Sequence, residues 1–465
     1  MTNVREYGAA GDGVTDDTMA IQHALHDGPA DVTFPPGDYK ISRTLLVDLT
    51  RGRQSIQGSG GVARLVMHGA GPAISLLGSH AGSADPTEFR AEEWQHERMP
   101  TVSGIEIIGQ NPAADGIAIE GVMQATLTGV LIRQVRTAVR ATKRARNILI
   151  DGCHFYHCTG IGVHLDRVNL HQTIIGDSHI SYCRLGGIRI EGSEIRNLQI
   201  TGCDIEYNNN RRHGVEGADE EPTAEIYIDA REGSVREGTI ASCTIQATAS
   251  KNGSNIRFIG HGNGTNHKAG MWAISGNLIG SQETNIHLTS ARGVVISGNY
   301  IYSGHHRNLL VEECRDIVLT GNCFGHNPDY EPKELCTGVR FVDSTNCNLS
   351  GVLIQDCATG KHTVADALNT DRKALLELVR CQGFNMTGLQ VLDGAPYGIW
   401  LEKCSEMLMT GCTVLENREE KLMKAAIRWN GEGRNNMIAT SRLGKGTDAT
   451  VAADGQVKLV DNVEG

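Results

Sequence analysis

Histidine, arginine, tyrosine and carboxylate side chains recur at one place in five aligned pentapeptides of this 465-residue chain. The five are GVHLD (Gly162–Asp166), GIRIE (Gly187–Glu191), EIYID (Glu225–Asp229), NIRFI (Asn255–Ile259) and NIHLT (Asn285–Thr289). Side chains alternate along a strand. If the second and fourth positions point inward, the third forms an outward row: His164, Arg189, Tyr227, Arg257, His287. The fifth position adds Asp166, Glu191 and Asp229. Hydrolysis of a glycosidic bond needs two carboxyl groups, one acid and one base or nucleophile. Asp229 and Glu191 are neighbours in one row, and like charges at that spacing raise one pKa. Glu225 is a third candidate, about 13 Å from Asp229 along their strand. Arg189, Arg257, His287, His164 and Asp166 would then hold sugar hydroxyls or an acid group, and Tyr227 would pack against a ring. β-Elimination instead needs a base and a cation that neutralises a uronate, which Tyr227 or His287 with Arg189 or Arg257 would supply. A second column, His154, His179 and Asp204, lies beside Tyr156, Ser181 and Glu206 on a different face.

The elements that position these rows repeat. Segments beginning at Asn147, His171, Asn197, Met271, Val294 and Asn385 share one skeleton, three short apolar or alternating runs separated by a turn rich in Gly, Asn, Ser and Cys. The period is about 22 to 25 residues where nothing interrupts it, the signature of a solenoid. Alternation over runs of three to five residues, without helical spacing, predicts strands. One turn slot holds Cys153, Ser178, Cys203, Cys243, Asn277, Asn299, Asn322 and Cys412, and a second holds Cys314, Cys381 and Cys404. Successive coils lie about 4.8 Å apart, so Asn in such a slot can form an amide ladder and Cys can fill it as a small apolar residue. A solenoid core grows in one dimension, so a single domain over residues 1–465 is expected. Residues 1–50 would be its cap and 55–459 its coils, with insertions near 208–224, 247–254, 325–337 and 356–373. These insertions fall just before the closing strand and would wall the outward rows. His213, Glu216, Asp219, Glu220 and Glu221 in the first of them could reach over the cleft, with His261 and His267 opposite.

The N-terminus reads as a strand, a glycine-rich turn and a helix started by Thr15 or Asp16, with Met19, Ile21, Ala24 and Leu25 on one face to cover the open end. NVREYGAAGDGVTDDTMAIQHAL followed by FPPGDYKI resembles the opening of the pectate-lyase-like superfamily, which includes polygalacturonases, rhamnogalacturonases, fructotransferases, lyases and phage tailspikes. The resemblance implies an all-β solenoid, a right-handed single-stranded parallel β-helix with an N-terminal capping helix, and suggests a homotrimer. Polygalacturonase motifs do not carry over. GHG occurs only as Gly260–Gly262, and RIK is absent.

Composition agrees with thin coils, with 56 glycines and 5% aromatic residues. A net charge of −11 speaks against a nucleic-acid partner. No run of apolar residues is long enough to span a membrane. Thirteen cysteines, an odd number, fit a reducing cytoplasm, and the absence of an apolar leader points the same way unless one has been removed. No cofactor and no zinc or EF-hand pattern is expected, although Asp166, Glu191 and Asp229 could hold Ca²⁺. The expected partner is a carbohydrate, met by a glycoside hydrolase or transglycosidase, by a uronate lyase or epimerase, or by a noncatalytic β-helix.

Overall fold

The computed structural model describes residues 2–28, 30–82, 85–209, 222–261, 268–327, 338–355 and 372–465. They are almost entirely β, arranged as a right-handed parallel β-helix in which each coil gives one strand to each of three sheets. Two compact units are present, the first running to Thr239 and the second from Ile240 to Gly465.

In the first unit the closing-strand sheet stacks Leu45–Asp48, Gly71–Leu77, Ala114–Met123, Val139–Asp151, Ile161–Gly176, Gly186–Glu191 and Ala224–Asp229 in parallel order. The third sheet stacks Glu106–Gly109, Leu131–Arg133, His154–Tyr156, His179–Ser181 and Asp204–Glu206. Inward Ile and Leu, such as Ile188, Ile190, Ile226 and Ile228, are fully buried. Between sheets the chain must reverse within one or two residues, which a left-handed backbone accomplishes. Gly129 and Gly152 take φ of 58° at one such corner, with open space where a Cβ would be, so backbone conformation alone selects glycine there.

The cap is the helix Thr18–Asp27. It begins later than the sequence suggests. Asp16 accepts the Thr18 N–H at 3.1 Å, while the buried Asp17 carboxylate turns back to the N–H groups of Ala10 (2.6 Å) and Gly11 (3.0 Å), pinning the glycine-rich turn. Ile21, Ala24 and Leu25 are buried as expected, but Met19 is 49% exposed and does not belong to the covering face.

In the second unit Ser254–Ile259, Thr284–Thr289, Arg307–Glu312, Val339–Val342, Ala374–Val379, Tyr397–Glu402 and Ala425–Asn430 form the equivalent stack. The predicted amide ladder is present. Asn277 Nδ2 donates to Asn299 Oδ1 and Asn299 Nδ2 to Asn322 Oδ1, both at 2.9 Å. A parallel ladder runs through Asn255, Asn285 and Asn308, at 2.9 and 2.7 Å. Each amide also reaches a carbonyl, as Asn299 does to Ile274 O at 3.0 Å. Eleven described cysteines are free thiols, ten of them buried.

Candidate functional site

Strand register places the outward rows of the first unit as the alternation predicts. Arg140, His164, Arg189 and Tyr227 lie opposite one another in successive coils, and so do Thr142, Asp166, Glu191 and Asp229. All but the exposed Arg140 are half-buried or nearly buried, because neighbouring coils and long arginine stems cover them.

Glu191 is the best-connected carboxylate of this face. Arg189 Nε donates to its Oε1, and His164 Nε2 stands 3.5 Å from Oε2. Those contacts, first His164 and then the Arg189 charge, overcome burial and hold the Glu191 pKa at about 2. The Arg189 guanidinium also lies over the Tyr227 ring, 4.9 Å from its centroid. Burial, then the nearby Asp229 charge, pushes the Tyr227 phenol above its ordinary pKa, so it keeps its proton at neutral pH. Arg231 grips both oxygens of Asp229, with Nε 2.9 Å from Oδ1 and Nη2 2.5 Å from Oδ2. Asp166 accepts from Arg140 and, at 2.9 Å, from Arg167. Burial pushes Asp166 up, but the Arg140 hydrogen bond and the His164 and Arg140 charges outweigh it, and the net pKa is lowered.

The structure separates Glu225 from this group and corrects its assignment to the outward face. Its side chain is fully buried at the corner where the strand begins. Oε1 accepts the Asn208 N–H at 2.8 Å and Oε2 accepts Asn208 Nδ2 at 2.5 Å. Desolvation raises its pKa well above 4.5, and the carboxyl is sealed in the core. The same strand position in the second unit holds Asn255, Asn285 and Asn308, also fully buried. The expected mutual elevation of one carboxyl in the Asp229–Glu191 pair does not describe Glu191, whose pKa falls.

Arg257 and His287 sit in the second unit with their own partners. Arg257 Nη1 donates to Thr289 Oγ1 at 2.9 Å, and His287 Nε2 lies 2.8 Å from Glu312 Oε2. Burial lowers the His287 pKa, only partly offset by Glu312. His213, with Glu216, Asp219, Glu220, Glu221 and His267, lies outside the described residues. The insertion near 247–254 is no wall. Ser250 N–H bonds to Gln282 Oε1 at 2.8 Å, folding it into a compact turn. Among the described residues no group of three or more His, Cys, Asp and Glu is placed to hold a metal ion, and no helix is long and apolar enough to cross a membrane. Sequence reasoning missed Arg231 and Arg167, which lie outside the aligned pentapeptides. Glu312 pairs with Thr289, the fifth position of the last pentapeptide, one coil on.

Two clefts, of about 610 and 650 Å³, lie off this face. The first adjoins the cap helix at Gln22, His26 and Arg51; the second adjoins Asn147, Gln172, Asn197 and Gln199. The second has Glu237 as its one charged lining residue, and the first also holds Asp48, Arg53 and His96; the closing-strand face is taken as the candidate because there such groups stand in register over successive coils.

The sequence profile described as "Rhamnogalacturonase A/epimerase, pectate lyase-like" matches residues 1–75, and the profile of a "Right handed beta helix region" matches residues 93–225. A 57-residue stretch is 49% identical to the non-secreted LysM effector LysM15 of Penicillium expansum, over 10% of this chain and 4% of that protein. Among solved structures, the chain is similar to the pre-mature bacteriophage phi29 gene product 12, with a TM-score of 0.53, 12% identity, and coverage of 100% of this chain and 56% of that one. It is similar also to the Dettilon tailspike protein gp208, with a TM-score of 0.50, 11% identity, and coverage of 89% and 66%. At such identities the likeness is one of fold. The chain spans less than two thirds of the length of each of these relatives.

Proposed function

The chain is a pectate-lyase-like right-handed β-helix, and on that premise we propose that it is a carbohydrate-active enzyme that removes the proton beside the carboxylate of a uronate residue in a polysaccharide, leading to elimination or epimerisation. The observation that carries this is the grouping of Arg189, Tyr227, His164 and Glu191 on one outward face. A uronate carboxylate paired with Arg189 has its charge neutralised, which makes the adjacent C–H more acidic. His164, oriented by Glu191, is the base. In elimination the C–H electron pair becomes the new C=C bond, and the glycosidic oxygen leaves with a proton from Tyr227. In epimerisation Tyr227 returns a proton to the opposite face of the same carbon. Either role needs a phenol that is protonated at rest, and the raised pKa of Tyr227 provides it.

Hydrolysis is the second reading, and one observation favours it. Asp229 and Glu191 face each other in adjacent coils about 4.8 Å apart, close to the carboxylate spacing of retaining glycosidases, about 5–5.5 Å. Glu191 would be the nucleophile and Asp229 the acid. It ranks second because both are tied to arginines, and the carboxyl whose pKa burial raises, Glu225, cannot reach a substrate. Arg257, His287 and Glu312 of the second unit would bind sugar on their own account.

The test is incubation with polygalacturonate and alginate, followed by ultraviolet absorbance of unsaturated uronates, reducing-end release and proton NMR of the ring carbon. Unsaturated or inverted products that fall about 10²–10⁴-fold in Tyr227→Phe support proton abstraction. Reducing ends without unsaturation, abolished in Asp229→Asn, would replace it with hydrolysis. No change in any polymer would leave a binding protein and reject both.

A further inference from the structure

Three consecutive coils of the first unit follow their third-sheet strand with an aromatic ring: His157, Tyr182 and Tyr207. Each has a left-handed backbone, with φ of 53°, 61° and 56°. The rings form a column. His157 and Tyr182 stack at 5.0 Å with planes 10° apart, and Tyr182 and Tyr207 at 5.9 Å with planes 1° apart. Alongside, Tyr156 stacks on Tyr182 at 6.3 Å, and His154 on His179 at 5.0 Å with their Nδ1 atoms 3.1 Å apart. The tyrosines are half-buried and the three imidazoles exposed.

The fold does not ask for rings at this slot. The residue after the short strand is left-handed in other coils too, and there it is Gln134, Ser281, Ser303 or Asp393. Small polar residues enter that conformation more easily than bulky ones. The core beneath, Phe155, Ile180 and Ile205, is complete without the rings. Three consecutive aromatics on an outer corner therefore serve something outside the core.

We propose that this ladder is a second carbohydrate-binding site, distinct from the face bearing Arg189 and Glu191, and that it takes a neutral glycan. The C–H face of a sugar ring packs on the half-exposed aromatic surfaces, and hydroxyls at its rim meet polar groups in the next columns. His154, His179, Asp204 and Glu206 occupy those columns. The carboxylates accept from hydroxyls and repel a polyuronate, the reverse of the arginine-lined face. The ladder would hold a polymer while the other face acts on it, which goes beyond the activity proposed above.

The probe is a glycan array carrying neutral, amino- and uronate oligosaccharides, read with the wild-type protein, Tyr182→Ala/Tyr207→Ala, Tyr182→Phe/Tyr207→Phe and Asp229→Asn. The wild type is expected to bind neutral glycans, with signals falling about tenfold in the double alanine variant and persisting in the double phenylalanine variant, which keeps the stack. Asp229→Asn should bind the same neutral glycans as wild type, so a failure of the proposed activity does not register here. Far-UV circular dichroism establishes that the alanine variant is folded. If that variant is unfolded, the double phenylalanine variant with His157→Ala takes its place. No neutral-glycan signal, or an unchanged array in a folded variant, overturns the proposal, as does a ladder-dependent signal confined to uronates.

Discussion

Glu191→Gln tests whether the ion cluster on the closing-strand face exists as described. In the folded chain the Glu191 carboxyl titrates at about 2 instead of 4.5, because His164 and Arg189 favour its anion. Each pKa unit is worth about 1.4 kcal/mol, so a depression of this size corresponds to about 3 kcal/mol. The side chain is 26% exposed, and solvent screening trims the expectation to about 2–3 kcal/mol. The direction in pH follows from which state takes up the proton first. As pH falls, the unfolded chain protonates Glu191 near 4.5, whereas the folded chain resists until about 2. The stabilisation is therefore complete above about pH 5 and disappears progressively towards about pH 2. Glutamine has no such titration. Urea unfolding of both proteins between about pH 7 and about pH 3, followed by far-UV circular dichroism, should show the variant's midpoint about 1 M lower at neutral pH, with the gap closing in acid. Because other carboxylates titrate in both proteins, only the gap is diagnostic. A gap that stays constant with pH, or none at neutral pH, would falsify the cluster.

Glu225 should behave in the opposite sense. Its raised folded-state pKa means the unfolded chain gives up the proton first, so wild-type stability declines as pH rises above about 4.5. Glu225→Gln loses the Asn208 Nδ2 contact, about 1 kcal/mol, yet its deficit in Tm should shrink between about pH 5 and about pH 8 by calorimetry. Asn299→Ala removes a link from the amide ladder and strands Asn277, Asn322 and Ile274 O, so a loss of about 3 kcal/mol is expected in the denaturant midpoint. Light scattering should give a mass near three times 50.1 kDa if the outer faces assemble as a homotrimer, and a mass near 50.1 kDa counts against that assembly.

Much of the fold was legible because a solenoid writes the same instruction many times. Five aligned pentapeptides fixed which residues face outward, and the register bears out each pairing within both units. Asn277, Asn299 and Asn322 announced their ladder through residue type at one slot. Glu225 shows where alternation stops working. By period two it belongs with Tyr227 and Asp229, but it lies at the start of the strand, next to a corner, and its side chain is buried in the coil. The clue was the residue type in that column elsewhere, since Asn255, Asn285 and Asn308 are chosen for stacking inside a coil, not for solvent.

Ionisation was less legible than position, because it depends on residues the repeat does not specify. Asp229 and Glu191 are close enough to repel, and that alone would raise one pKa. Electrostatic energy varies inversely with distance, so a guanidinium at about 3 Å outweighs a like charge at about 4.8 Å by about 1.6-fold in the same medium. Arg189 donates to Glu191 within its own strand, and Arg231 grips Asp229 from two residues past the strand end. One-to-one pairing of each carboxylate with an arginine thus cancels the repulsion before it can create an acid. The chemistry proposed for this face accordingly rests on the His164 imidazole and the Tyr227 phenol, not on its arginine-paired carboxylates.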